Sequence, residues 1–211
     1  MSRVADLMIL NVLWIICCLP IVTIGAATTA LHYVTLKMVK NEESYIVKSY
    51  FKSFRENFKQ STLIWIIMFV LFLIFVFDLI ILGSITFQFS NIIRYVILAM
   101  IFVYVMVLLY VFPVTSKFYN STKNIFKNSF LMSIKHLPYT LLMLVITIGP
   151  FIILLFVSGA FQYGLLIFIL VGFSLIAFCN SYFFNKIFDR YIPKEEDEEI
   201  NTEEDCVPEE S

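Results

Sequence analysis

One acid and one base sit where an apolar chain tolerates them least. Asp78 lies inside the run Thr62–Gly83, and Arg94 lies just inside the run Ile92–Phe112. Ionisable groups at membrane depth mark ion paths, proton relays or structural pairs. Asp78 stands five residues before Gly83, ~8 Å of helix from that run's end. Arg94 enters the next run from the same side, so an ion pair across the Ser84–Asn91 connection accounts for both residues without transport chemistry. No other pair of residues suggests a reaction. His32 and His136 are isolated, with no carboxylate or cysteine at ligand spacing. Cys17 and Cys18 are adjacent in one apolar run, Cys179 is in another and Cys206 is near the C-terminus, which forms no CxxC or disulfide framework. GxxxxGK[ST], HExxH and GxSxG are absent. Asn120-Ser121-Thr122 is a glycosylation sequon only in form. The expectation is a protein that is not an enzyme and that uses neither metal nor cofactor.

The elements that must position these residues are read from hydropathy. The chain of 211 residues is 60% hydrophobic, 17% aromatic and 15% charged, with mean hydropathy +0.88. Soluble domains hold roughly 45–50% apolar residues, so this composition suits lipid. Spans of about 20 apolar residues cross a ~30 Å hydrocarbon core, and without period-two alternation they must be helices. An all-α polytopic membrane protein with about five spans follows, at 4–31, 62–83, 92–112, 139–158 and 164–184 in a single domain over 1–192.

Orientation follows from lysine and arginine, which favour cytoplasmic loops. Thirteen fall on one side: six from Lys37 to Lys59, four from Lys117 to Lys135, and Lys186, Arg190 and Lys194. Arg94 falls on the other, joined by Arg3 if the opening run crosses once. The long loops and the C-terminus are therefore expected in the cytoplasm. The net charge of -1 hides this asymmetry, because ten of the sixteen acids lie in Glu195–Ser211. Without that segment the chain carries 15 basic and 6 acidic residues, or +9. The acidic tail, 193–211, is expected to be disordered and either to overhang in solvent or to clasp the basic face. No nucleic-acid partner is expected.

The opening run admits three readings. Leu7–Leu19 before Gly25-Ala26-Ala27 has the outline of a cleaved signal, but cleavage would conflict with the sidedness of the other loops. A re-entrant pair of half-helices broken at Pro20 and Gly25 would return the chain to its starting side. A tilted, kinked crossing over Val4–Leu31 is the reading favoured, since 28 residues span ~42 Å as helix. Further breaks or kinks are expected at Pro113, where Phe112-Pro113-Val114-Thr115 echoes Leu19–Thr23, and at Gly149-Pro150. The small residues Gly25, Ala26, Thr29 and Ala30 would admit a close helix neighbour.

Two loops are amphipathic. Val47, Tyr50, Phe51, Phe54 and Phe58 share one helix face, edged by Lys48, Lys52, Arg55 and Lys59. Phe126, Phe130 and Ile134 form a weaker stripe beside Lys123, Lys127 and Lys135. Such helices lie at the headgroup level against anionic lipid, or dock onto another subunit.

The run "NVLWIICCLPIVTIGAATTALHYVTLKMV" followed by "YIVKSYFKSFRENFKQSTLIW" resembles the N-terminal signature of the YesL family, bacterial integral membrane proteins of unknown biochemical function. The matching residues include Asn11, Trp14, Leu19-Pro20, Gly25, Ala30-Leu31, Ser53-Phe54 and Asn57-Phe58, and "YVFPVTSKF" and "IKHLPYTLLML" are similar to looser later features. The resemblance implies a multi-pass protein of the bacterial plasma membrane, found near sugar-uptake or polysaccharide-degradation systems, and assigns no catalytic or binding residue. Two functions follow as expectations: an accessory component of carbohydrate uptake that contacts transporter subunits, or a scaffold or regulator without its own substrate, able to self-associate.

Overall fold

The computed structural model describes residues 3–42, 45–84, 90–156 and 164–191, and among them every regular element is a helix. Helix α1, Arg3–Cys18, stops because Leu19 precedes a proline, which disfavours helical backbone at the preceding residue. Pro20 itself is extended, and one 3₁₀ turn, Ile21–Thr23, leads into α2, Ile24–Val39. Thr23 Oγ1 sits 2.6 Å from the Cys17 carbonyl and 2.7 Å from that of Pro20, so its hydroxyl serves carbonyls that the broken helix leaves bare.

These two helices form a hairpin. The Arg3 guanidinium donates to Asn41 Oδ1 at 2.5 Å and Trp14 Nε1 to Thr28 Oγ1 at 3.3 Å, pairs nearly symmetric about Ile21 and Val22. The opening run therefore enters and leaves at one end of the bundle, which overturns the kinked crossing and moves Arg3 to the same end as Lys40. Gly25 breaks nothing: it lies in the first turn of α2, and the reversal is completed before it by Pro20 and the 3₁₀ turn. Leu19 and Ile21 at the turn are 77% and 63% exposed, a cluster suited to lipid rather than water.

Four further helices are long and apolar enough to cross a membrane. They are α3, Ile46–Ser84; α4, Ser90–Lys117; α6, Leu137–Phe156; and α7, Gly164–Phe188, which contains a π-helical turn at Phe168–Gly172. A shorter helix, α5, Thr122–Lys135, joins α4 to α6 and starts at Ser121, whose hydroxyl accepts from the Asn124 N–H. The protein is thus an all-α polytopic membrane protein, with four crossing helices and a hairpin among the described residues, the hairpin matching the re-entrant reading of the opening run. The acidic tail, Cys206 and most of the Ser84–Asn91 connection lie outside the described residues.

Two expectations about helix ends are corrected. The first amphipathic loop is no separate element, because Lys59-Gln60-Ser61-Thr62 holds neither glycine nor proline and α3 runs through it for 39 residues, ~58 Å. Pro113 and Gly149-Pro150 lie within α4 and α6 and end neither. Hydroxyls add bonds nearby: Thr115 Oγ1 donates to the Val111 carbonyl, Ser116 Oγ to that of Pro113, and Thr147 Oγ1 to that of Met143. Serine and threonine side chains are a usual means of carrying a membrane helix past proline.

The core sits at one end, here termed the base, where α2, α4 and α7 finish and α3 and α6 begin. Lys40 Nζ meets Asp189 Oδ1 at 2.6 Å, and Gln60 Nε2 donates to the Asn120 carbonyl at 2.6 Å, tying these ends together. One cluster gathers Ile64, Met68, Tyr110, Phe184 and Phe188; the other joins Leu7, Leu10, Val34, Tyr50 and Ala177 around the hairpin. Of the fourteen described lysines and arginines, thirteen belong to base segments and only Arg94 to the far end.

Candidate functional site

The buried polar residues of the base are joined helix to helix, and they form the most distinctive constellation in the molecule. One member is Asn11, fully buried in α1. Asn11 Nδ2 donates to the Ile169 carbonyl at 2.5 Å, and Asn11 Oδ1 accepts from the Ser174 N–H at 3.0 Å. A π turn displaces the regular helical ladder, and one asparagine side chain binds both a backbone acceptor and a backbone donor beside it. Ser174 Oγ returns the contact by donating to the Leu7 carbonyl at 2.8 Å. Gly172 permits the turn's packing, since a Cβ there would lie 2.5 Å from Cδ2 of the Phe168 ring.

Helix α2 is bound on two sides. Toward α3, Gly25 lets the backbones touch: a Cβ would collide with the Ser61 carbonyl and come 2.6 Å from Trp65 Cβ. Thr29 Oγ1 lies 3.0 Å from the Gly25 carbonyl and 2.8 Å from Ser61 Oγ, closing the same contact. Toward α7, Thr35 Oγ1 and Ser181 Oγ are 2.8 Å apart, and Asn185 Nδ2 donates to the Leu36 carbonyl at 3.0 Å. Elsewhere Tyr110 Oη meets Thr140 Oγ1 at 2.9 Å, and Asn180 Nδ2 donates to Thr147 Oγ1 at 2.9 Å. Among the described residues, four buried side-chain atoms have no hydrogen-bond partner: His32 Nδ1, Thr62 Oγ1, Ser129 Oγ and Asn180 Oδ1. They are separate atoms on α2, α3, α5 and α7, and among the described residues no group of three histidine, cysteine or acidic side chains could hold a metal ion.

Opposite the two amphipathic stripes, α3 and α5 each carry an inward row that hydropathy does not mark. In α3 the inward row is Tyr50, Ser53, Asn57, Ser61, Ile64 and Met68. Of the expected apolar face, Phe54 is half-buried against the hairpin, whereas Phe51 and Phe58 are 39% and 36% exposed beside the exposed Lys48, Lys52, Arg55 and Lys59. In α5 the inward row is Ile125, Ser129, Met132 and Ser133, while Phe130 and Ile134 face out. In both, small hydroxyl residues share the inward row with a few large apolar ones, an arrangement found in helices that associate within lipid.

Asp78 and Arg94 are not brought together. Asp78 is half-buried and Arg94 exposed, and among the described residues the ion pair is Lys40–Asp189. Tyr104 marks the face of α4 turned to α3, donating to the Met68 carbonyl and stacking edge-on with Phe75. Arg94 lies ten residues earlier, about 80° around a helix of 3.6 residues per turn, and so points to the flank.

Sequence reasoning passed over Asn11, Asn180, Asn185 and the Thr29–Ser61 and Thr35–Ser181 pairs. A signal was present: Ser174, Ala177, Ser181 and Asn185 in α7, like Ser53, Asn57 and Ser61 in α3, repeat at three- and four-residue spacing within apolar helix.

Residues 7–79 match the family described as "Protein of unknown function, DUF624". That segment runs from the hairpin through most of α3 and includes Asn11, Gly25, Thr29 and Ser61. The chain is also 28% identical over 174 residues to the uncharacterized protein YteU of Bacillus subtilis (strain 168), a similarity covering 81% of this chain and 75% of that protein. No solved structure matches this chain.

Proposed function

We propose that the protein is a noncatalytic membrane adaptor that presents the exposed edge of α3 to a partner. The observation that carries this reading is the division of labour across that helix segment. Tyr50, Ser53, Asn57 and Ser61 hold one side against the bundle, and the opposite side offers Phe51 and Phe58 among four cations. Aromatic side chains flanked by basic ones suit both a protein groove and the headgroup layer of anionic lipid. The seam of buried asparagines and hydroxyls supports a scaffold over a carrier, because most of its polar atoms are engaged by one another or by backbone.

The excess of lysine and arginine at the base supports a cytoplasmic base and C-terminus in a bacterial plasma membrane. The resemblance stated above makes the subunits of a carbohydrate-uptake system the class of partner, with the protein as their accessory. The test is purification of the full chain from its own membranes, with copurifying proteins identified. Recovery of transporter subunits, lost when Phe51, Phe54 and Phe58 are changed to serine in a chain that still folds, supports the reading. Isolation of the chain alone, or recovery unaffected by the triple change, overturns it.

A further inference from the structure

Between the start of α1, the end of α2 and the start of α3 the base opens into a cleft of about 660 Å³, a size that accommodates one small amphiphile. Arg3, Asp6 and Lys48 line it, yet none of them pairs with another. The Arg3 guanidinium donates to the neutral Asn41 side chain, and the half-buried Asp6 carboxylate has no hydrogen-bond or ion-pair partner among the described residues. Ile9, Met38 and Val47 make the cleft's apolar wall. Phe51, 39% exposed, continues that wall toward the outside of the bundle.

We propose that this cleft binds the headgroup of one zwitterionic phospholipid of the phosphatidylethanolamine type, with Arg3 and Lys48 on the phosphate, Asp6 on the ammonium and the start of an acyl chain against Ile9, Met38, Val47 and Phe51. Two cations and one carboxylate that leave one another unpaired match a ligand carrying both signs. A purely anionic headgroup would leave Asp6 facing negative charge. The arginine fork suits phosphate oxygens, and the apolar wall favours a lipid over a free phosphoester. Lys48 and Phe51 belong also to the α3 edge offered to a partner, so the test uses the purified full chain alone, where no partner competes.

The chain would be stripped of lipid in detergent and titrated with dioleoylphosphatidylethanolamine, dioleoylphosphatidylglycerol and soluble phosphoethanolamine, with bound lipid counted by native mass spectrometry. The expected result is one phosphatidylethanolamine per chain, held about tenfold tighter than phosphatidylglycerol, a difference of about 1.4 kcal/mol. Asp6→Asn should erase that preference, and Lys48→Gln, at an exposed position, should weaken both lipids alike while circular dichroism stays unchanged. Equal or tighter binding of phosphatidylglycerol, retention of the preference in Asp6→Asn, no discrete stoichiometry, or equal binding of soluble phosphoethanolamine would each overturn the proposal.

Discussion

The base and the far end of this bundle are built from similar apolar helices and differ in how they spend them. In α3 the buried residues run from Tyr50 to Met68 and none follows; in α6 they stop at Leu144; in α7 they begin at Gly172. Beyond those points Phe77, Ile93, Tyr95, Val145, Leu155 and Leu166 stand exposed. Hydrophobicity therefore places the helices in lipid but does not hold them together, since lipid tails solvate leucine as well as another helix does. What distinguishes the base is close backbone approach and side-chain hydrogen bonding: Gly25 on Ser61, Asn11 on the π turn, Thr35 on Ser181.

The largest effect that would break this contrast is expected at the glycines. Gly25→Ala places a methyl against the Ser61 carbonyl, a backbone atom that cannot swing away, so α2 and α3 must separate at a cost of about 1–3 kcal/mol or more. Gly83→Ala and Gly149→Ala meet nothing within 4 Å and should stay within about 0.5 kcal/mol of wild type or gain slightly from helix propensity. Thermal unfolding in one detergent ranks the three. If Gly25→Ala melts with the far-end variants, the packing argument fails.

Next in size is Asn11→Ala, which strips a partner from both the Ile169 carbonyl and the Ser174 N–H in a buried position. A loss of about 1–3 kcal/mol is expected, with faster hydrogen exchange confined to the neighbourhood of the π turn. A far-end truncation such as Phe77→Ala, at a side chain 67% exposed, removes contacts with lipid only and should leave both readouts unchanged. A cycle of Thr35→Val and Ser181→Ala sharpens the comparison further. Interhelical hydrogen bonds in membranes average about 0.6 kcal/mol, so a coupling indistinguishable from zero would show that the seam directs register without adding stability.

Much of the architecture was legible because the periodicity of lipid-facing helices is coarse. Four apolar runs gave four crossing helices, and Pro20 marked a real interruption. The hairpin was legible only as one of two open readings, because a span of 28 residues fits one tilted crossing as well as two half-lengths, and only Arg3 could have reported the side of the N-terminus. The inward rows of α3 and α5 were not read at all, because hydropathy marks large apolar residues, whereas Ser53, Asn57, Ser61 and Ser129 pack inward through their small size. The Asp78–Arg94 pair failed because proximity along the chain says little about azimuth around two helices.

The smallest effect concerns pH, and it belongs to the base alone. His136 precedes α6 with Nε2 3.2 Å from Tyr191 Oη. Burial first, then the positive charges of Arg190 and Lys135, hold its pKa below the ordinary imidazole value. An unfolded histidine takes up its proton near pH ~6.5, whereas the folded one resists until lower pH. Between those two points the unfolded state binds more protons, so stability falls as the pH drops below about 6.5 and recovers as it rises. His136→Gln removes that proton uptake while keeping a side chain able to bond Tyr191. The melting temperature of the variant should therefore decline less than that of wild type between pH 7 and pH 5, and parallel declines would remove His136 from the acid response of the base.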